Sequence, residues 1–515
     1  MIGGCLMKQI LFFAFFVFFT ISTPFAAEPL TVWIMPNGAS PQEKMEQELQ
    51  QFTKTTGIKT KVVVLDWGEA WSRISNALST GKGMPAVLQL GTTWIPYFAS
   101  RGELFELNPF LSQIDTSRFE EVSFNTTHID GDTSIYSIPW FIDVRAILAN
   151  ERILKELGIK AEDIKTYEGF LKTLKKIKAA SLKLDDGTPI QPYAFPGRND
   201  WNIPHNFGPW VWSNGGSFLV KDSNSYRSNL LAPNTLQGIA RYLNFILDSI
   251  VDPSNLNLNT AQISQQFNNG ELAFILNTSE IVMQTRYQAQ DGGLQNSRIG
   301  NDGIIVFPVP SGSAGSISFI GGSNLAIPAK YKNKKQALQL LLFLTQDSFL
   351  DAYTKQIGFL PPSKKVLESW SKDSVYKVLV ECLKNGQNYR SIPQWGEIEN
   401  LLGRTFNNIW VSMEMKDLYS EEKIYSILKE NDSIINTVLG AEQSKQRMSL
   451  DEFKTIWASI LNEVNTEENL SSEEKTEEKV AKSEEKSYFD KKISIGIFLL
   501  MIFFGFIFAY QRKKK

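Results

Sequence analysis

LTVWIMPNGASPQEKMEQELQQFTKTTGIKTKVVVLDWGEAWSRISNALSTGKGMPAVLQL, residues 30–90, reads as strand, helix, strand, helix, strand. Leu30 to Met35 is a short β run. Ser40, Pro41 and Glu43 then place a capping residue, a proline at the first helical position and an acid three residues after the cap. Met45, Leu49 and Phe52 follow at helical spacing, and Gly57 stops the helix. Ile58 to Leu65 is a second strand. A helix from Glu69 to Thr80 carries Trp71, Ile74 and Leu78, and Pro85 to Leu90 is a third strand. This alternation predicts a parallel sheet with helices packed on it, an α/β fold.

The rest of the middle continues the theme. Thr166 is placed to cap a helix bearing Phe170, Leu171, Leu174 and Ile177, and Thr235 another bearing Leu236, Ile239, Leu243, Ile246 and Ile250. Leu272 to Leu276 and Gly303 to Val309 read as buried strands. From Lys334 onward the pattern is mostly helical. About 440 residues is long for one core and suggests two lobes.

The ends differ from the middle. Lys8, the apolar run from Ile10 to Phe19 and the small residues Ala26 and Ala27 predict a secretory signal over 1–27. Cys5 precedes that run, so it is not placed as a lipid-bearing cysteine. Residues 466–492 are rich in Glu, Lys and Ser and read as a disordered charged stalk. Ile493 to Tyr510 is uncharged and predicts a transmembrane helix, with residues 511–515 as a cytoplasmic basic tail. The expected location is therefore the cytoplasmic membrane, single-pass, with the large domain on the periplasmic or extracellular side.

Several classes are disfavoured. The net charge is −2 and no basic stripe appears, which argues against nucleic acid. Two histidines, His128 and His205, stand far apart with no cysteine cluster, so neither a zinc site nor a histidine-based nucleophile is indicated. No GxxxxGK[ST] loop is present, so the chain is not itself an ATPase. No cofactor or metal is expected.

Five segments in order resemble the extracellular solute-binding proteins of the family that includes the maltodextrin and sugar receptors of ABC importers. They are GTTWIPYFASRGELFEL (91–107), IYSIPWFIDVRAILANERILKELGI (135–159), FNNGELAFILNTSE (267–280), FIGGSNLAIP (319–328) and IGFLPPSKKVL (357–367). The likeness spans about residues 30 to 465. Ala86 is a departure, since members often carry Asp after the proline. The resemblance implies a periplasmic-binding-protein-like fold: two α/β lobes joined by chain crossovers, with a ligand cleft between them that closes by hinge motion. It places lobe one at roughly 28–140 with 279–328 and lobe two at 141–278 with 329–465. It also implies a monomer that passes a sugar or oligosaccharide to ABC permease subunits.

Aromatic residues make up 12% of the chain, including 12 Trp. The densest stretch, 193–218, holds Trp201, Trp210 and Trp212 among Pro and Gly. A sugar presents an apolar C–H face that an indole covers and a rim of hydroxyls that carboxylates, amides and Arg satisfy. The substrate-binding candidates follow from that logic and from family-like positions. Trp67 and Glu69 follow the second strand, and Thr93 and Trp94 the third, where parallel sheets bind ligands. Trp140, Asp143 and Arg145 lie at the first crossover, and Trp210 and Trp212 in the second lobe. Gly321, Gly322 and Ser323 offer backbone N–H groups at a bend, and Trp395 stands in a late loop. Each indole has a packing alternative, and Asp143 and Arg145 can simply pair. Two alternatives remain open at this point: a surface glycoside hydrolase with two acids in a Trp-rich cleft, and a sugar-sensing receptor that docks to a membrane sensor.

Overall fold

The computed structural model describes residues 28–462 apart from 224, 416–418 and 443–447. The expected signal, stalk, transmembrane helix and basic tail all lie outside these residues. Among the described residues, no helix is long and apolar enough to cross a membrane. The expectation of single-pass anchoring in the cytoplasmic membrane is corrected accordingly.

Among the described residues ten strands occur in chain order: β1 (Leu30–Ile34), β2 (Thr60–Val64), β3 (Val87–Gly91), β4 (Ser137–Asn150), β5 (Gln191–Ala194), β6 (Leu219–Asp222), β7 (Ser225–Ser228), β8 (Leu272–Thr278), β9 (Ile304–Phe307) and β10 (Ile320–Ala326). Eight form one mixed sheet in the order β2-β1-β3-β10-β4-β8-β5, with β9 also on β4. β6 and β7 pair separately. β2, β1 and β3 are mutually parallel, as the opening sequence predicts. β10 runs antiparallel to both β3 and β4.

The helices Pro41–Thr56 and Trp67–Thr80 connect the first three strands. Gly57 ends the first in the left-handed region (φ 73°), where only glycine is unstrained. Ser40 makes no side-chain cap and itself has φ 47°, so Pro41 marks this helix start, not the expected cap. Asp66 caps the second helix by accepting from the Gly68 N–H at 2.8 Å. Thr166 caps its helix as expected, accepting from Gly169. Thr235 does not cap. The helix Pro233–Leu247 begins earlier, because Pro233 starts it, and the Thr235 hydroxyl instead donates to the Ser217 carbonyl.

β4 is the 14-residue strand that the two halves of the sheet share. Its residues 137–144 pair with β10, 145–149 with β8, and 147–150 with β9. On one side of this junction Val32, Ile34, Leu49, Ile138, Trp140 and Leu325 build one core. Ala337, Leu341, Phe349, Leu350 and Tyr353 join it, so the helices Lys334–Leu344 and Asp347–Ile357, read from sequence with the second lobe, pack beneath the first three strands. On the other side Ile142, Val144, Phe267, Ile281, Ile320 and Leu379 share a second core, and Ile147, Phe170, Phe207, Leu243, Trp395 and Trp457 a third.

Gly322 sits where β10 bends. Its φ is 127°, and a Cβ there would lie 2.2 Å from the Phe141 carbonyl oxygen. The pairing register also shifts between Ser323 and Asn324. Gly322→Ala is therefore expected to destabilise the chain by about 1–3 kcal/mol, read as a lower urea midpoint. An unchanged midpoint would show that β10 relaxes freely.

Candidate functional site

The C-terminal ends of β1, β2 and β3 meet the second half of the molecule along a polar, aromatic seam. After β1, Asn37 donates to the Met35 carbonyl and to Gln89 Oε1, and Gln89 donates to the Ser323 hydroxyl at 2.9 Å. After β2, Trp67 is 37% exposed and stands edge-on to Trp94, with centroids 5.8 Å apart. Trp71 packs on the same Trp94 at 5.2 Å, so the exposed indole rests on an aromatic base. Glu69 is exposed beside them. After β3, the short turn Thr92–Trp94 presents Thr93 to the other half.

Across the seam, Arg145 is buried on β4. Its guanidinium donates to Asn206 Oδ1 at 2.9 Å and to Asn202 Oδ1 at 2.5 Å, both next to or within the helix Ile203–Ser213. Asn202 in turn donates to Thr260, and Asp200 accepts from the Asn202 and Thr260 N–H groups. Asn199 has φ 62°, and its N–H is held by Asn407. This network pins the loop that carries Trp201, whose indole is 70% exposed. An indole held in water on an ordered loop is unusual, because burying it would be favourable by the hydrophobic effect.

Trp201 stands edge-on to the His205 ring at 5.5 Å. His205 lies parallel to Phe319 at 4.5 Å, and Trp212 also lies parallel to Phe319 at 6.2 Å. His205 Nδ1 is 2.8 Å from the Tyr389 hydroxyl, and Tyr389 stacks on Trp395 at 4.4 Å. Glu399, on the helix Trp395–Glu414, is 3.6 Å from His205 Nε2.

The acids of the seam are protonated unusually easily. Burial pushes the Glu399 carboxyl up to about 7, with Thr93 opposing. Burial first, and the neighbouring Asp143 carboxyl second, push Glu280 up to about 7, while the Gly38 N–H opposes. Burial also raises Asp143, and Arg145 draws it back. Burial, then the Arg145 charge, holds His205 neutral well below its ordinary value. Among the described residues, no Lys or Arg forms an ion pair with Asp143, Glu280 or Glu399. Asp143 and Arg145 sit on one face of β4, yet Arg145 spends its hydrogen bonds on the two asparagines.

The sequence candidates divide clearly. Trp67, Thr93, Trp94, Asp143, Arg145 and Ser323 meet at the seam, as do Gly321 and Gly322, which lie opposite Asp143 and Ile142 in the β10–β4 ladder. Glu69 lies at its outer edge. Trp140 is fully buried and stacks on Tyr353 at 4.8 Å in the first core. Trp210 is 1% exposed among Phe170, Tyr242 and Phe245. Trp212 and Trp395 are buried too, but they back the Phe319 and Tyr389 rings. Glu399, His205, Glu280, Asn202, Asn206 and Tyr389 were not picked out by sequence. Trp201 lay within the aromatic stretch, and its Asn-Asp-Trp-Asn setting was the available signal of an exposed turn.

The comparisons agree with this architecture. Residues 48–377 match the family model of the bacterial extracellular solute-binding protein, and the chain belongs to that family. The diacetylchitobiose-binding protein DasA of Streptomyces coelicolor is 26% identical over 377 residues, covering 73% of this chain and 83% of DasA. A solute-binding protein of Thermotoga lettingae, solved with α-D-tagatose, superposes with a TM-score of 0.68 at 19% identity, covering 80% of this chain and all of that one. The GacH receptor of Streptomyces glaucescens, studied unliganded and with acarbose, gives 0.65 at 19% identity, covering 80% of this chain and 99% of GacH. At these identities the structures establish the mixed α/β, periplasmic-binding-protein-like fold.

Two substitutions separate core from surface. Trp140→Ala is expected to cost about 3–5 kcal/mol of stability, whereas Trp201→Ala changes it by no more than about 0.5 kcal/mol. Urea denaturation of both variants checks this.

Proposed function

We propose that this chain is a substrate-binding protein that captures a sugar or oligosaccharide outside the cytoplasm and delivers it, unaltered, to an ABC permease. We draw its lobes at roughly 28–141 with 323–359 and 142–320 with 360–462, following the hydrophobic cores. The ligand lies between them, and the protein acts as a monomer without a cofactor.

One observation carries the reading. Two exposed indoles, Trp67 and Trp201, each stand edge-on to a further aromatic ring, Trp94 after β3 for the first and His205 of the helix Ile203–Ser213 for the second. An indole supplies a flat face for the C–H side of a pyranose, and Glu399, Glu280, Asp143 and Asn206 supply polar atoms for its hydroxyl rim. Asn206 Nδ2, Arg145 Nε and Asp143 Oδ1 are buried with no protein partner, so each is a hydrogen-bonding group still to be satisfied. DasA, named for a disaccharide, and the sugar-bound structural neighbours point to the same ligand class.

Binding of a saccharide at about 100 times its Kd should stabilise the protein by about 2.7 kcal/mol. A thermal-shift panel of N,N′-diacetylchitobiose, maltotriose and α-D-tagatose tests this. Trp201→Ala should weaken the best binder by about tenfold or more, equal to about 1.4 kcal/mol. Chromatography should recover the oligosaccharide at its original length. A panel without any shift, or shortened products, would overturn the proposal.

A further inference from the structure

Contacts join the two lobes on both flanks of the seam. On one flank the first lobe's loop 128–130 is clasped by the second lobe. The Tyr226 hydroxyl, on β7, donates to Asp130 Oδ2 at 2.8 Å. The Asp130 N–H donates to the Ser391 carbonyl at 2.8 Å, and the Ser391 hydroxyl donates back to the His128 carbonyl. Ser391 is buried, and close by Asn388 donates to the Val122 carbonyl at 2.7 Å. The clasp borders the site from both lobes. Ile129 and Tyr136 pack against the same core as Trp71 and Trp94, and Ser391 lies between Tyr389 and Trp395, whose rings stack. A Cβ on Gly396, the next residue, would come within 4.0 Å of the Trp71 ring.

On the other flank, after β1, a Cβ on Gly292 would lie 3.1 Å from that of Ala39, and the Ser279 hydroxyl donates to the Gly358 carbonyl at 2.6 Å. Behind both flanks run β10 and β4, paired from Ile320 to Ala326. The exposed indoles stand elsewhere. Trp67 follows β2, the edge strand that β1 and β3 separate from β10, and Trp201 lies on the loop before the helix Ile203–Ser213.

We infer that the seam takes a saccharide end-on: one chain terminus enters it, and further units leave only past Trp67 and Trp201. Asp130 and Tyr226 are then specificity-determining residues, because their clasp shuts a flank through which a continuous chain would have to pass. The inference rests on the reading of this chain as a two-lobed sugar receptor. It narrows the ligand from saccharides at large to those with a free end of one kind.

Unpaired groups enforce the choice. The flank contacts connect one lobe with the other, so a chain running through the seam would hold them apart. The Asp130 N–H and carboxylate, the Tyr226 hydroxyl and the Ser391 carbonyl would all lose their partners. Buried groups left unpaired are costly, and a site discriminates by imposing that cost on the wrong ligand. A terminus imposes none of it, since the flanks stay bonded around it.

Isothermal titration calorimetry on the full chain tests this with linear maltose-type and N,N′-diacetylchitobiose-type oligosaccharides. In whichever series binds, the hexasaccharide should bind within about threefold of the trisaccharide. A bulky cap on one terminus should weaken the hexasaccharide about hundredfold or more, and the same cap on the other terminus by less than about threefold. A hexasaccharide capped at both ends should be rejected as the first is. Tyr226→Ala with Asp130→Ala, both partly exposed positions, should improve the Kd of the doubly capped ligand about tenfold or more. A cap tolerated at both ends, or at neither, overturns the inference and leaves the sugar reading standing. Unchanged rejection by the double variant, at a native urea midpoint, overturns the role given to Asp130 and Tyr226. No heat with any member of either series overturns the sugar reading, and this inference with it.

Discussion

A single strand carries the relation between the two halves of this molecule. β4 pairs with β10 along 137–144 and with β8 and β9 along 145–150, so one strand is shared by the cores on both sides of the junction. A strand cannot slip by one residue without moving every side chain to the opposite face. The alternation along β4 therefore sends Asp143 and Arg145 to the seam while Ile142, Val144 and Ala146 enter the core behind it. Gly322 completes the arrangement by letting β10 bend against Phe141, where a side chain has no room.

The seam is a place where the fold tolerates poor solvation. Asp143, Glu280 and Glu399 are carboxyls without a cationic partner among the described residues, and burial raises all three. Removing an ionised group from water is costly, so such acids respond by holding a proton. Arg145 does not neutralise them by contact, because Asn202 and Asn206 claim its guanidinium. The same asparagines tie β4 to the loop of Trp201. Charge, loop order and the exposed indole are thus parts of one network.

Much of the architecture was legible in the chain. The parallel β2-β1-β3 unit follows from hydrophobic periodicity and from Gly57, both local properties. Trp67, Thr93 and Trp94 were expected after β2 and β3, and the structure places them there, beside the seam. The assignments that failed depended on contacts distant in sequence. Thr235 looked like a cap, yet Ser217 claims its hydroxyl. Trp140 and Trp210 looked like platforms, yet Tyr353 and Tyr242 cover them. Glu399 drew no notice because an isolated Glu in an amphipathic helix is ordinary; its setting comes from His205, far earlier in the chain.

By itself, then, the sequence determined the elements, the α/β class and the kinship with solute-binding receptors, since these rest on patterns within short windows of chain. Tertiary structure alone decided which indoles stay wet, which acids lose their water and in which core each late helix packs. Those properties depend on what packs across the seam, and burial is a property of neighbours, not of residue type.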